Sequence, residues 1–255
     1  MQSVVLIGAG NVAHHLAKAF SACPHITLVA TMARDKKALV DFEAFGPIAS
    51  LGRPITADIV VIAVSDNAIA TVSGQLQGTN SIIVHTSGST PMKVLSQHKN
   101  HGVLYPLQSF TKGRELTYDE IPICVESNST DTLYKIKQLA GYISSKVVEI
   151  DSKKRFKLHM AAVIGNNFTN HMVYLAEQFL QEEKLPLHLL VPLMKETVEK
   201  WEDTSPYDAQ TGPARRWDTD TIKNHLAHIK DSKLRKIYTL LSQSVQETYR
   251  EKDNG

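Results

Sequence analysis

A glycine-rich turn lies near the start of the sequence, and its residue types and spacing are suited to binding phosphate. Gly8, Gly10 and Ala13 form the pattern G-x-G-x-x-A within the segment 4–20, VVLIGAGNVAHHLAKAF. The first glycine permits a tight turn, the second lets the backbone approach a pyrophosphate, and the small alanine lets a helix pack closely on a strand. The free N–H groups and the positive dipole end of that helix would then face the phosphates. We therefore predict a dinucleotide-binding turn.

The residues after the second apolar run indicate which dinucleotide binds. In the NAD-preferring pattern an acid lies about 20 residues after the glycines, at the end of the second strand, and bonds the ribose hydroxyls. Here Thr31 follows the run ITLVA at that place, and Arg34 comes soon after. A hydroxyl and a guanidinium would bind a 2′-phosphate, which a carboxylate would repel. The sequence predicts NADP(H) rather than NAD(H), although Asp35 would reach the ribose if the strand ended later.

Polar residues also follow the next apolar runs. They occur in AVSDNAI (63–69), HTSGSTP (85–91) and YPLQSF (105–110). Any one of these stretches is ordinary turn chemistry, because Ser, Asn, Asp and Gly are common in turns. Ligands of open α/β sheets bind beyond the carboxyl ends of the strands, however, so their recurrence at consecutive strand ends predicts a ligand site.

A later helical segment, KLHMAAVIGNNF, supplies residues for proton transfer and orientation. Asn166 and Asn167 are adjacent in an otherwise apolar helix, where amides compete with the backbone and require partners. Those partners are either neighbouring helices or a substrate. His159 and Lys157 precede them and are able to exchange a proton, although His159 is equally compatible with a packed core position.

The order of elements predicts the architecture that positions these residues. Up to about residue 150, short β-branched runs alternate with helical stretches, which predicts a doubly wound parallel sheet with helices on both faces. After DSKKR the pattern is purely helical. We predict an α/β protein with a nucleotide-binding domain over 1–150 and an all-helical domain for substrate binding and dimerisation over 151–255.

Composition and charge exclude several classes of function. The 255 residues are 42% hydrophobic and 21% charged, and the net charge of +2 leaves no footprint for nucleic acid. No run approaches the ~18 residues of a membrane span, and the first residues open directly into a strand, so we expect a cytoplasmic location. Cys23 and Cys124 have no metal or disulfide spacing, and His225 and His228 lack a third ligand, so no metal is expected.

The motifs that carry a family resemblance are GAGNVA, AVSDNAI, HTSGS, YPLQSF, FKLHMAAVIGNNF and TGPARRWDTDT. The sequence resembles a family of bacterial Rossmann-like proteins with a helical C-terminal domain of unknown function, numbered 2520. That family is similar to the superfamily of pyrroline-5-carboxylate reductase, prephenate dehydrogenase, 6-phosphogluconate and β-hydroxyacid dehydrogenases, and coenzyme F420-dependent NADP oxidoreductases. The resemblance implies a reductase or dehydrogenase that binds NADP(H) or NAD(H) and forms a homodimer through its helical domain. The helical domain is apolar and too large to be covered by one nucleotide-binding domain, which also favours a dimer.

The resemblance further implies four groups of cofactor-binding residues. At the pyrophosphate they are Gly8, Gly10, Asn11 and Val12. At the adenosine 2′-phosphate they are Thr31 and Arg34. Along the two riboses they are Val64, Ser65 and Asp66, and near the nicotinamide they are His85, Thr86 and Ser87.

One position departs from the pattern of related dehydrogenases. Asn167 takes the place of a prephenate-dehydrogenase-like catalytic histidine, and no lysine lies three or four residues before the Asn pair. An amide cannot accept the proton that leaves during alcohol oxidation. Reduction of an imine places a smaller demand on the proton donor, because the nitrogen is able to enter already protonated.

Our leading hypothesis is an NADP(H)-dependent oxidoreductase that acts on a small polar, anionic metabolite, an imine or a keto acid, in a cleft between the two domains. Asn167, Asn166 and Ser87 would orient or polarise the acceptor, and His159, Lys157 or His85, in that order, would supply the proton. One alternative is a non-catalytic NADP(H)-binding sensor or scaffold. Another is hydride exchange between NADP and a deazaflavin such as F420, which the 7% aromatic content supports little.

Overall fold

The protein divides into two compact units. A computed structural model describes residues 1–54, 56–76 and 78–250. The first unit is Met1–Gly165 and the second is Asn166–Gly255. The sequence predicts a domain boundary near Asp151. The boundary between the two compact units lies 15 residues later in the chain, after Gly165, because the helix that follows Asp151 is held by contacts to the sheet.

The first unit is built on one sheet of eight strands in the order β3-β2-β1-β4-β5-β6-β7-β8. The strands are β1 Gln2–Ile7, β2 Ile26–Ala33, β3 Ile48–Ser50, β4 Ile59–Ile62, β5 Ile82–His85, β6 His101–Pro106, β7 Ile123–Ser127 and β8 Val147–Glu149. All neighbouring pairs are parallel except β6 and β7. The predicted α/β fold with a doubly wound parallel sheet is confirmed, with the β6–β7 pair as an antiparallel exception that the sequence did not predict. The strand order reverses direction between β1 and β4.

Helices cover both faces of this sheet. They are α1 Asn11–Ala22, α2 Asp66–Gly74, α3 Thr130–Gly141 and α4 Ser152–Ala162. Alternate residues of β1 point to opposite cores, so Val4 and Leu6 pack with α1 and α3, while Val5 and Ile7 pack with α2. Strands buried on both faces account for the unbroken apolar runs of the sequence.

Helix α4 is attached to the sheet by a buried ion pair. The guanidinium of Arg155, 1% exposed, bonds the carboxylate of Glu126 on β7, whose side chain is 14% exposed. Ser152 at the start of the helix donates to the same carboxylate (2.8 Å) and accepts from the Met92 N–H (2.9 Å). A second Arg155 nitrogen donates to the Thr90 carbonyl at 2.6 Å. These bonds assign α4 to the first unit.

The second unit consists of helices. They are α5 Thr169–Gln181, α6 Val191–Glu199, α7 Thr219–His228 and α8 Ser232–Tyr249. A π-helical turn, Val163–Phe168, precedes α5 and contains the point at which the chain passes from one unit to the other. The predicted helical C-terminal region is confirmed. Within the described residues, no helix is long and apolar enough to cross a membrane.

We predict that Arg155→Met lowers the free energy of unfolding by about 3–5 kcal/mol, because it leaves the largely buried Glu126 carboxylate without its cation. The double variant Arg155→Met/Glu126→Gln removes the charge as well and should regain much of that loss. Urea unfolding followed by circular dichroism measures both. A loss below about 1 kcal/mol in the single variant would show that the pair does not anchor α4.

Candidate functional site

A cavity of about 900 Å³ lies in the first unit at the carboxyl ends of β1 and β4, where the strand order reverses. Open α/β sheets bind ligands at this position. The residues predicted to bind the cofactor that line this cavity are Gly8, Gly10, Asn11, Val12, Arg34, Val64, Ser65 and Thr86. The predicted residues outside its lining are Thr31, Asp66 and His85.

The two glycines of the first turn have different physical roles. Gly8 has a φ of +143°, and a Cβ there would lie 2.0 Å from the Ala63 carbonyl oxygen. Its lack of a side chain lets β1 and the end of β4 come together. Gly10 has an ordinary φ of −83°, and a Cβ there would meet no protein atom within 4 Å. Gly10 lines the cavity, so the protein itself leaves room for a side chain at this position beside the ligand space.

The start of α1 presents backbone donors to the cavity. The first intrahelical bond runs from the His14 N–H to the Gly10 carbonyl (2.9 Å), so the N–H groups of residues 11–13 have no partner inside the helix. Among the described residues, no side chain caps this helix, and its first turn holds no acid. Free donors and the positive end of the helix dipole make this an anion-binding position.

The end of β2 differs from the sequence prediction. Pairing with β3 extends β2 to Ala33, so Thr31 lies within the strand, 1% exposed, with its N–H bonded to the Pro47 carbonyl. Arg34 and Asp35 are the residues that follow the strand and line the cavity. The Asp35 carboxylate accepts from the Lys37 N–H (2.9 Å) as the cap of a short 3-10 helix.

His85 is fully buried at the end of β5. It is 0% exposed, and its Nδ1 accepts from the Ser87 N–H (3.1 Å). Burial, followed by the positive charge of Arg155, lowers its pKa to about 4, and the charge of Asp66 opposes this shift only partly. The imidazole is therefore neutral near pH 7 and has no contact with the cavity.

The loop after β5 is organised by its own hydroxyl groups. Ser87 is 6% exposed, and its Oγ accepts from the N–H groups of Thr90 (2.9 Å) and Ser89 (3.2 Å). Ser89 donates in turn to the carboxylate of Asp66 at the start of α2. These bonds occupy Ser87 and Asp66 in holding the loop beside Thr86, which does line the cavity.

The predicted proton donors lie on α4. Lys157 is exposed, whereas His159 is half-buried and its Nδ1 is 3.0 Å from the Tyr105 hydroxyl of β6. The His159 ring lies against Gly88, two residues beyond Thr86. Asn166 and Asn167 lie in the π-helical turn and are exposed in this chain. π-helical turns are frequent at functional sites.

Other cavity residues were not singled out from the sequence. Gln108 and Phe110 follow β6 and line the cavity, as do Ala38 and Leu51 on the side of β2 and β3. The stretch YPLQSF marked the strand end correctly, but nothing in its pattern distinguished the residues that face the ligand. Ala38 and Leu51 are apolar, so a search for polar residues after the strands does not find them.

Comparison with known proteins identifies the relatives of this chain. The family model described as a domain of unknown function (DUF2520) matches residues 121–245. A candidate NADP oxidoreductase from Bacteroides fragilis is 36% identical over 96% of this chain and 98% of its own, with a TM-score of 0.90. No curated protein matches at a significant level.

Two more distant structures share the fold. A reductive aminase from Aspergillus terreus, solved with NADPH and ethyl-5-oxohexanoate, is 14% identical over 98% of this chain and 94% of its own, with a TM-score of 0.72. A pyrroline carboxylate reductase from Plasmodium falciparum, with NADP bound, is 14% identical over 97% of this chain and 98% of its own, with a TM-score of 0.61. On the evidence of the Bacteroides relative and the DUF2520 match, this protein belongs to the DUF2520 family of NADP-oxidoreductase-like Rossmann proteins.

Proposed function

We propose that this protein is an NADP(H)-dependent oxidoreductase that transfers a hydride to or from a small polar, anionic metabolite, an imine or a keto acid. The observation that carries the proposal is the cavity at the uncapped start of α1, within a chain 36% identical to a candidate NADP oxidoreductase over nearly its whole length. When bound, the nicotinamide supplies or accepts the hydride, and the protein orients it and excludes water.

The geometry of the cavity fits a dinucleotide. Its volume of about 900 Å³ is at the upper end of ligand-site volumes. The open space beside Gly10 and the N–H groups of Asn11 and Val12, which have no acceptor within the helix, suit the pyrophosphate. Val64 and Ser65 would lie along the riboses, with Thr86 towards the nicotinamide.

Charge at the end of β2 favours NADP over NAD. Arg34 lines the cavity and is exposed, so its guanidinium is able to bind the 2′-phosphate with charge-assisted hydrogen bonds. Asp35, the acid that would select NAD, also lines the cavity, but one of its carboxylate oxygens is engaged by the Lys37 N–H. Thr31 is buried in β2 and takes no part in this proposal.

Proton transfer is assigned to α4 and the π-helical turn that follows it. His159 is the first candidate for the proton donor, because it is half-buried beside the loop that leads from Thr86, and Lys157 is the second. His85 is the weakest of the three, since burial keeps it neutral and away from the cavity. Asn166 and Asn167 are proposed to orient the substrate. Ser87 acts on the site through the loop that its hydroxyl holds.

We predict that NADPH binds more tightly than NADH and that Arg34→Ala weakens NADPH binding by about 10- to 100-fold, the loss of one charge-assisted interaction. Calorimetric titration measures both affinities. Lys36→Ala is the matched control, because it removes a neighbouring cation that does not line the cavity and should change the affinity little.

Binding of neither cofactor would overturn the proposed function. Tight NADPH binding without oxidation of NADPH by any of a panel of cyclic imines and keto acids would instead favour the sensor alternative.

A pair of glycine variants separates folding from cofactor binding. Gly8→Ala should lower the free energy of unfolding by about 2–4 kcal/mol, because it combines positive φ with a clash against Ala63. Gly10→Ala should fold with nearly wild-type stability but weaken NADPH binding at least 10-fold, because its methyl group enters the pyrophosphate space. Thermal unfolding and calorimetry give the two readouts. Wild-type NADPH affinity in Gly10→Ala would show that the phosphates lie elsewhere.

The helical unit is proposed to form a homodimer. In its described part, only Ile229 and Tyr249 are buried. Large apolar side chains are exposed on it, among them Phe168 (58%), Leu193 (64%) and Leu240 (67%). Exposed apolar surface of this extent marks an association surface.

We expect light scattering to give twice the chain mass of 28.3 kDa. Leu240→Arg, which places a charge in that surface, should shift the protein towards the monomer. The matched control Lys236→Glu changes charge on the same helix without removing an apolar side chain. A monomeric wild-type protein would overturn the dimer.

A further inference from the structure

The buried Tyr105 and the half-buried His159 form a polar pair beside the loop that leads from the cavity-lining Thr86. The Tyr105 hydroxyl is 3.0 Å from His159 Nδ1, and the two rings meet edge to face with centroids 5.9 Å apart. Gly88 lies beneath both rings, since a Cβ there would be 2.6 Å from His159 Nδ1 and 2.7 Å from Tyr105 Cζ. The backbone at Gly88, two residues after the cavity-lining Thr86, thus packs directly on the pair.

Two contacts one helical turn apart set the position of His159. Arg155 bonds Glu126 of β7, and His159, four residues later, bonds Tyr105 of β6. Glu126 lies opposite Val103 in the antiparallel ladder, two residues before Tyr105, so both partners face the same side of the sheet. Four residues of a helix span about 6 Å, and two residues of a strand span about 6.6 Å. The spacing of Arg155 and His159 on α4 therefore matches the spacing of their two partners on the sheet.

We propose that Tyr105 is a positioning residue: its hydroxyl donates a hydrogen bond to His159 Nδ1 and so keeps the His159 proton on Nε2. The inference rests on the proposed function, in which His159 supplies the proton that accompanies hydride transfer. Tyr105 would then determine which ring nitrogen of His159 is able to donate to the substrate.

The direction of the hydrogen bond follows from burial. Tyr105 is 8% exposed, and within residues 1–54, 56–76 and 78–250 its hydroxyl has His159 Nδ1 as its one hydrogen-bond partner. If the hydroxyl only accepted from Nδ1, its own proton would be buried without an acceptor, which is unfavourable. The His159 ring is half-buried, and its Nε2–H is able to bond water or substrate.

The protonation state of Tyr105 supports the same direction. Burial, followed by the neighbouring Cys124, raises its pKa to about 12, and the nearby Arg155 cation opposes this shift. The phenol therefore keeps its proton across the physiological range and remains available as a donor.

The pair also gives a balanced route for one proton. When the carbon of a substrate C=O or C=N group accepts the hydride, the π electron pair moves to the oxygen or nitrogen, which takes the Nε2 proton. The electrons of the broken N–H bond stay on the imidazole, and Nδ1 takes the Tyr105 proton. The negative charge then rests on the phenolate, near Arg155, until solvent returns a proton.

The test is the tautomer of His159, read from ¹⁵N–¹H spectra that correlate the ring nitrogens with the ring protons. Spectra of the full chain at about pH 8.5, where imidazoles are neutral, should show His159 with its proton on Nε2 alone. Tyr105→Phe preserves the ring and removes the hydroxyl, so His159 should populate both tautomers. The signals that disappear in His159→Asn identify this histidine among the 11 in the chain.

Tyr118→Phe is the matched control, since Tyr118 makes the same 3.0 Å contact to Nδ1 of His15. It should leave the His159 signals unchanged. A wild-type His159 with its proton on Nδ1 would overturn the inference whether or not the variants fold, and so would an unchanged tautomer in Tyr105→Phe.

Titration of the same samples with NADPH separates this inference from the proposed function. NADPH binding together with an Nδ1-protonated His159 overturns the role of Tyr105 and leaves the proposed function standing. The expected tautomer without NADPH binding supports the bond to Tyr105 and overturns its use in hydride transfer.

Discussion

The approach of the Gly8 backbone to the Ala63 carbonyl is the constraint on which the rest of the first unit depends. A single Cβ at Gly8 would lie 2.0 Å from that oxygen. Because nothing intervenes, β1 and β4 stay adjacent up to their carboxyl ends, and α1 begins immediately beyond them. The location of the cavity, the start of α1 beside it and the position of Thr86 all depend on this contact.

A second constraint acts further along the sheet, towards β8, where β6 and β7 are antiparallel. There the buried Arg155–Glu126 pair holds α4, and α4 holds His159 against Tyr105 and Gly88. Arg155 also bonds the carbonyl of Thr90, so the same side chain ties the loop after β5 to the helix. A charged pair so deeply buried contributes little net stability, but its geometry is demanding. Its consequence is a defined place for the His159 ring.

The two units differ in how they are stabilised. The first has two extensive apolar cores, one on each face of its sheet. The second has helices whose apolar side chains are largely exposed, with Ile229 and Tyr249 as its buried residues in the described part of the chain. Apolar surface that stays exposed contributes nothing to offset the entropy of ordering the chain. Its stability is therefore expected to depend on association, as the proposed homodimer provides.

The sequence alone determined the features that depend on local pattern. These features are the G-x-G-x-x-A turn, the alternation of strands and helices and the helical second half. Each could be predicted because it depends on residues that are close together in the chain. Tertiary structure decided the rest. Pairing with β3 carried β2 past Thr31 and made Arg34 and Asp35 the residues at its end, a register that no local pattern encodes. Burial placed His85 last among the candidates for proton transfer, since the desolvation that lowers its pKa depends on what packs around it. The partnership of Tyr105 and His159 joins residues 54 positions apart, and only the packing of α4 on the sheet brings them together.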